Sequence, residues 1–331
     1  MQRAWDDGDA VLPVDTRLPQ AAVDRLLASM RVDEPVEDGD ALVVGTSGSS
    51  GEPKGVVLTH DAVRASAVAT SSRLTVDPQS DSWLACLPLA HVGGLSVVTR
   101  ALATGTRLIV HDGFDADAVQ RSGATLVSLV TTALQRIDPS QFRVIVLGGS
   151  TPPADPPSNV VTTYGMTETG SGVVYDGAPL DGVEIRIVGG EIHVRGPMLL
   201  RTYRSGVDPK DEDGWFPTGD LGQLDGDKRL RVFGRKGDLI ITGGENVWPE
   251  PIEAILAEHP HVRDVAIVGR PDEEWGQRVV AIVVADAPPP TLDELRDRVK
   301  EHLGPWAAPR QLELVDAIPR TALGKVRRAD L

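Results

Sequence analysis

Thr46-Ser47-Gly48-Ser49-Ser50-Gly51-Glu52-Pro53-Lys54-Gly55 gathers four hydroxyls, three glycines and a lysine into ten residues, directly after the apolar run Ala41-Leu42-Val43-Val44. This mixture suits phosphate. Glycines let backbone N–H groups approach oxygens closely, the hydroxyls of Thr46, Ser47, Ser49 and Ser50 add donors, and Lys54 supplies a point charge. It is not a Walker loop, which needs lysine directly after its last glycine; here Glu52 and Pro53 stand between Gly51 and Lys54. A flexible linker is the plain alternative, but linkers seldom carry Pro-Lys-Gly between two apolar segments. Lysine is scarce: Lys54, Lys210, Lys228, Lys236, Lys300 and Lys325 are the whole set. Lys54 and Lys325, each in a glycine-containing turn, are therefore the lysines that read as chemical choices.

The elements around this loop alternate. Gln20 to Met30 places Val23, Leu26, Leu27 and Met30 on one helical face. After the loop come a helix from His60 to Leu74, a strand from Trp83 to Leu87, a helix from Gly94 to Leu102 and a strand from Arg107 to His111. Thr125 to Val130, Arg143 to Leu147 and Val160 to Thr163 are short and β-branched, as buried parallel strands are. From Val183 the pattern changes to alternation around Gly189-Gly190, the mark of a hairpin in an antiparallel sheet or barrel. Beyond Gly234 to Asp238 the chain predicts a strand (Leu239 to Thr242), a helix (Pro249 to His259), two strands (Val265 to Gly269, Arg278 to Ala285) and a helix (Leu292 to Leu303). The expectation is an α/β protein: a large N-terminal domain of mixed βα subdomains (1–236) with an antiparallel or barrel-like part, and a small mobile α+β C-terminal domain (237–331).

The 331 residues can bury a sizeable core. Lys+Arg of 33 against Asp+Glu of 48 gives a net charge of -15 with no basic tract, which argues against nucleic acid or an anionic membrane as main partner. A polyanionic ligand must be met locally. The single cysteine, Cys86, excludes an internal disulfide and sits in an apolar run that reads as a buried strand. With no signal pattern and no membrane-spanning run, a cytoplasmic protein is expected. Its oligomeric state is left open.

Four further segments follow the loop: Tyr164-Gly165-Met166-Thr167-Glu168-Thr169-Gly170, Thr218-Gly219-Asp220, Gly234-Arg235-Lys236-Gly237-Asp238 with Gly243-Gly244-Glu245-Asn246, and Pro319-Arg320-Thr321-Ala322-Leu323-Gly324-Lys325. In order and spacing they resemble the adenylate-forming superfamily of acyl-CoA synthetases, luciferases and peptide-synthetase adenylation domains, over nearly the whole chain from Ala41 onward. The resemblance implies ATP, Mg²⁺ and coenzyme A as reactants and cofactor, with a small-molecule acid. Glu168 is a lone carboxylate in a small hydroxylated loop, suited to one Mg²⁺ beside phosphate oxygens, with Thr167 alongside. Tyr164 would stack on adenine. Asp220 would accept from ribose hydroxyls, with Arg235 nearby; a turn-capping aspartate is the plain alternative. Gly148 and Gly149 join the ATP-binding set. His91, in Pro88-Leu89-Ala90-His91-Val92-Gly93-Gly94, is either a core histidine or the floor of the acyl pocket.

A carboxylate attacking the α-phosphate of ATP is already a nucleophile, so the chemistry needs charge compensation, not a general base. Lys325 would supply it. For the thiol step the resemblance implies rotation about the residue two after Arg235, here Gly237, which would bring Gly243 and Gly244 along a pantetheine tunnel. Glycine suits a hinge but removes a side chain that could latch either state. The short segment before the loop, His91-Val92-Gly93-Gly94-Leu95-Ser96 with Arg100, and Tyr175 to Gly182 look like actinobacterial o-succinylbenzoate–CoA ligases of menaquinone synthesis. That keto-dicarboxylate needs a cation for its distal carboxylate; Arg100 is the candidate, against an outward salt-bridging arginine. Ligation of another aryl or short-chain acid, carrier-protein loading, and a non-catalytic nucleotide sensor are the alternatives. The last is disfavoured because Lys325 and Glu168 are both present.

Overall fold

The computed structural model describes residues 1–47, 53–149, 152–153, 155–320 and 326–331. Gly48, Ser49, Ser50, Gly51 and Lys325 lie outside the described residues. The chain divides into two compact units: Met1–Arg186, His193–Pro217 and Leu224–Leu230 form one, and Ile187–Ile192, Thr218–Gln223 and Arg231–Leu331 the other.

The first unit is built on a seven-stranded sheet. Its order is Arg107–Val110, Ser82–Ala85, Leu126–Leu129, Val144–Leu147, Val160–Met166, Ser171–Tyr175, Ala178–Pro179. The first five strands run parallel and the last two turn back antiparallel. Burial on both faces explains the mostly apolar runs of the inner strands: all four residues of Ser82–Ala85 and of Leu126–Leu129 are buried. Leu84, Val127, Leu129, Ile145 and Leu147 share a core with Phe142 and Val119. Numbered along the chain, the parallel order is 2-1-3-4-5, a doubly wound arrangement whose ligand crevice lies at the carboxyl ends of the strands.

A three-stranded sheet carries the ends of the hydroxyl- and glycine-rich segment. Asp40–Ser47 and Pro53–Thr59 pair antiparallel, with Thr46 opposite Lys54 and Gly45 opposite Gly55, and Thr202–Tyr203 adds on the far side of Pro53–Thr59. The loop thus joins two strands of one hairpin, where the sequence placed it only after a strand. Another sheet, in the order Glu184–Val188, Glu191–Arg195, Phe216–Leu224, Leu230–Arg235, contributes residues to both units. It is an open sheet, so the barrel alternative does not hold.

The second unit contains a five-stranded sheet in the order Glu245–Val247, Ile240–Thr242, Gly276–Ala285, Val262–Asp272, with Gln311–Leu314 parallel to Gly276–Ala285. Strand alternation makes two cores. Val265, Ile267, Val279, Ala281 and Val283 pack with Ile252, Leu256, Leu295 and Val299 of the helices Pro249–Ala257 and Leu292–His302. Ala266, Val268, Val280, Ile282 and Val284 pack instead with Ile318, Val326 and Leu331. The second helix begins with a capping box, Thr291 to Glu294, as its Thr-Leu-Asp-Glu start requires. No helix among the described residues is long and apolar enough to cross a membrane.

Candidate active site

In the first unit, His91, Gly148, Gly149, Thr167 and Glu168 follow the carboxyl ends of parallel strands. His91 is the N-cap of the helix Val92–Thr104, which follows Ser82–Ala85. It is half-buried, near Asp15, whose carboxyl is held down to about 2 by hydrogen bonds from Arg17, with His91 a weaker contributor. Gly148 and Gly149 follow Val144–Leu147, and Gly149 has φ +87°.

Tyr164 lies within the strand Val160–Met166, half-buried and opposite Val174. The strand runs on past it to Met166 because pairing with Ser171–Tyr175 continues. Gly165 is needed there: a Cβ would stand 2.2 Å from the Ser171 carbonyl oxygen. The turn Thr167–Thr169 is fastened by the Thr169 hydroxyl, which takes the Met166 N–H at 2.9 Å and donates to the Ser171 carbonyl at 2.6 Å.

Glu168 is joined to the hairpin of Asp40–Ser47 and Pro53–Thr59 by a residue the sequence reading missed. The Tyr203 hydroxyl donates to Glu168 Oε1 at 3.0 Å, and Lys54 Nζ stands 5.3 Å from the centre of the same ring. Tyr203 belongs to the strand paired with Pro53–Thr59, and the Leu200 N–H binds the Glu168 carbonyl at 2.7 Å. An ammonium near the ring and a carboxylate at the hydroxyl thus share one phenol. The only hint in the sequence is that tyrosine occurs three times in the chain.

Arg100 is on the helix that His91 caps, but it is 2% exposed. About 13 Å of helix axis separates the two. Its guanidinium lies 4.6 Å from the Trp83 ring centre, Nη2 donates to Ser171 Oγ at 3.1 Å, and Nη1 has no hydrogen-bond partner among the described residues. Burial pulls its pKa below the usual arginine value. The outward salt-bridging reading is therefore wrong: the helix packs on both sides, and the arginine turns inward.

In the second unit Asp220 lies mid-strand in Phe216–Leu224, 7% exposed, not in a capping turn. Arg235 Nε pairs with Asp220 Oδ1 at 2.9 Å, and its Nη1 donates to the Thr218 carbonyl at 3.0 Å. Glu191 takes the Gly219 N–H at 3.0 Å and pairs with Lys236 at 3.1 Å. Two carboxylates and two cations thus frame the Thr218-Gly219-Asp220 backbone. Gly237 lies in the 3₁₀ turn Lys236–Asp238, where a Cβ would meet nothing within 4 Å. Gly243 differs: with φ +59° its missing Cβ would stand 2.7 Å from the Trp275 ring, and its N–H binds the Trp275 carbonyl at 2.9 Å. Gly244, φ +84°, completes this turn.

Among the described residues no group of three His, Cys, Asp or Glu could cage a metal. Glu168 nonetheless fits Mg²⁺, which is usually held by one or two carboxylates together with substrate phosphates and water.

Residues 7–204 match the family model of the AMP-binding enzymes, and residues 251–325 that of the AMP-binding enzyme C-terminal domain. The chain is 44% identical to the probable 2-succinylbenzoate–CoA ligase of Mycobacterium tuberculosis over 337 residues, covering 92% of this chain and 87% of that protein. It is 37% identical to the 2-succinylbenzoate–CoA ligase of Bacillus cytotoxicus, over 87% of this chain and 69% of that protein. Among solved structures, the o-succinylbenzoate CoA synthetase of Bacillus subtilis with its acyl-adenylate intermediate superposes with TM-score 0.83 at 30% identity, covering 99% of this chain and 79% of that one. The same synthetase with ATP and magnesium gives 0.82. Matched by the family model over residues 7–204 and set on the fold of these ligases, the chain belongs to the AMP-binding enzyme family.

Proposed function

We propose that this protein is an ATP-dependent acid–CoA ligase whose acid is o-succinylbenzoate. The reading is carried by the 44% identity to a probable 2-succinylbenzoate–CoA ligase over 92% of the chain. The hairpin and Glu168, joined through Tyr203, support it.

In the first half-reaction a carboxylate oxygen of the acid bonds to the α-phosphorus of ATP, and pyrophosphate leaves with the electrons of the broken P–O bond. Lys54, with the Thr46 to Gly51 segment, holds the phosphates. Glu168 and Thr167 would hold Mg²⁺, which when bound neutralises phosphate charge. Tyr164 packs on adenine, and Asp220 with Arg235 takes the ribose. Lys325 brings an ammonium to the meeting of two anions, so catalysis is electrostatic. His91 floors the acyl pocket, and Arg100 reads the distal carboxylate. In the second half-reaction the CoA sulfur bonds to the acyl carbon, the acyl carbon–oxygen bond breaks so that AMP leaves with its electrons, and the thiol proton passes to solvent. A pivot at Gly237, dividing 1–236 from 237–331, releases Lys325, and Gly243 and Gly244 flank the pantetheine. The setting is the cytoplasm.

The test is a pair of half-reactions. Lys325→Ala should abolish ATP–pyrophosphate exchange while sparing thioester formation from supplied acyl-AMP, because its charge serves only the first transition state. Equal losses would remove Lys325 from this role. Absence of exchange with o-succinylbenzoate in the unaltered protein would overturn the substrate.

A further inference from the structure

The segment 321–325 is framed by residues with no role in the chemistry above. The chain enters it at Arg320 and leaves it at Val326, and these two form an antiparallel bridge. The Arg327 N–H closes the frame on the Pro319 carbonyl at 2.8 Å. Arg320 is fixed to Asp264 of the strand Val262–Asp272, Nε to Oδ2 at 3.0 Å.

Arg328 ties the exit of this frame to two other places. Its Nη1 donates to Asp238 Oδ2 at 3.0 Å, Nη2 to Glu253 Oε1 at 2.7 Å, and Nε to the Ile267 carbonyl at 3.2 Å; Glu250 Oε1 lies 3.8 Å from Nη2. Glu253 Oε1 also takes the Ile267 N–H at 2.8 Å. Glu250 and Glu253 belong to the helix Pro249–Ala257, and Asp238 directly follows Gly237. One guanidinium, its side chain 17% exposed, thus joins the pivot turn, the start of a helix and the chain three residues beyond Lys325.

This is a costly way to gain stability. Three carboxylates share one cation, and burial pushes both Glu250 and Glu253 up, with the arginine opposing that rise. Glu250 is also pressed against the strand that carries Arg235: at Gly234, φ +145°, a Cβ would stand 2.6 Å from Glu250 Oε2. Apolar residues of similar volume would serve stability as well or better. What the cluster provides is direction, since a guanidinium held by three acceptors in different directions has one orientation.

We propose that Arg328 is a positioning residue for the adenylation half-reaction, holding the chain that follows Lys325 in fixed geometry to the pivot turn through Asp238 and to the helix through Glu253. The inference rests on the reading of Lys325 as the adenylation lysine. Misplacing a reacting group by an ångström costs on the order of 100-fold, so Arg328→Met should lower the kcat of acyl-adenylate formation about 10- to 100-fold. The thioester step from supplied acyl-AMP should stay within about twofold. Arg328→Lys, which keeps the charge but cannot reach all the acceptors, should show a smaller loss in the same half-reaction, and Asp238→Asn should reproduce the split. Should Arg328→Met melt below the assay temperature, Arg328→Lys decides by the same criterion. Equal loss in both half-reactions, loss mainly in the thioester step, or unchanged adenylation overturns the proposal. Lys325→Ala is measured alongside. If it shows no split, the reading of Lys325 has failed; if it does and Arg328 does not, only the present inference has failed.

Discussion

Replacing Arg100 with methionine should separate recognition from packing. The guanidinium is 2% exposed and spends its contacts on the Trp83 ring at 4.6 Å and the Ser171 hydroxyl at 3.1 Å, with Nη1 unpartnered among the described residues. Methionine forfeits about 0.5–2 kcal/mol of cation–π attraction and about 1 kcal/mol of hydrogen bond. It also removes a buried cation that pairs with no carboxylate among the described residues, and apolar replacement of buried charges is often neutral or stabilising by about 1–4 kcal/mol. The two nearly cancel, so Tm should move by no more than about 5 °C. Turnover should respond quite differently. If the distal carboxylate of o-succinylbenzoate meets this guanidinium, its loss costs about 2–5 kcal/mol, a fall of about 30- to 5,000-fold in kcat/KM. Benzoate, with no second carboxylate, should be used no worse by Arg100→Met than by the parent. Thermal melts and kcat/KM for both acids settle the matter. A dicarboxylate rate unchanged by Arg100→Met, or a parallel fall for both acids with a collapse in Tm, would refute the reasoning and leave Arg100 as packing.

Tyr203→Phe keeps the ring near Lys54 but removes the donor to Glu168 Oε1; adenylation should fall about tenfold, the worth of one hydrogen bond to a partly exposed carboxylate, with a raised Mg²⁺ requirement. A magnesium titration that overlays the parent's would show that the phenol does not orient Glu168. Gly237→Pro fixes φ in a turn where a Cβ meets nothing within 4 Å, so one half-reaction should fall at least about tenfold more than the other. Survival of both would place the pivot elsewhere. Burial lifts the Glu250 carboxyl above its ordinary 4.5, and a carboxyl so raised adds stability below its unfolded pKa and loses it as pH rises through the folded one. Glu250→Gln should therefore raise Tm at about pH 7.5 and give no gain near about pH 4; a drop in Tm at the higher pH would contradict this sign.

Much of the framework was legible because burial writes itself into local runs. The β-branched segments 144–147 and 160–163 are parallel strands with both faces covered, and helix His60–Arg73 begins where its Thr59 cap says it should. Most of the difficulties were long-range. Thr218-Gly219-Asp220 has the composition of a turn, yet Asp220 is in a strand because Phe216–Leu224 is held between Glu191–Arg195 and Leu230–Arg235 in a four-stranded sheet. Tyr203 carried no local signature; its meaning comes from a strand pairing with residues near Val56 and from Glu168, 35 positions earlier. Arg100 sits on a helix with seven buried residues, so its own sequence could not say which way a lone arginine turns. The Arg328 cluster joins charges 75 and 90 positions apart, each of which alone reads as surface. Strand Gln311–Leu314 alternates polar and apolar residues and is only half-buried, so it was missed.

The most direct measurement of the central claim is product analysis of the purified protein with ATP, Mg²⁺ and CoA, offered o-succinylbenzoate, benzoate and succinate separately. The expected result is o-succinylbenzoyl-CoA formed with one AMP and one pyrophosphate per thioester, and little thioester from the two monofunctional or aliphatic comparators. Thioester formation with ADP in place of AMP would contradict passage through an acyl-adenylate, and turnover of either comparator in preference to o-succinylbenzoate would contradict the substrate.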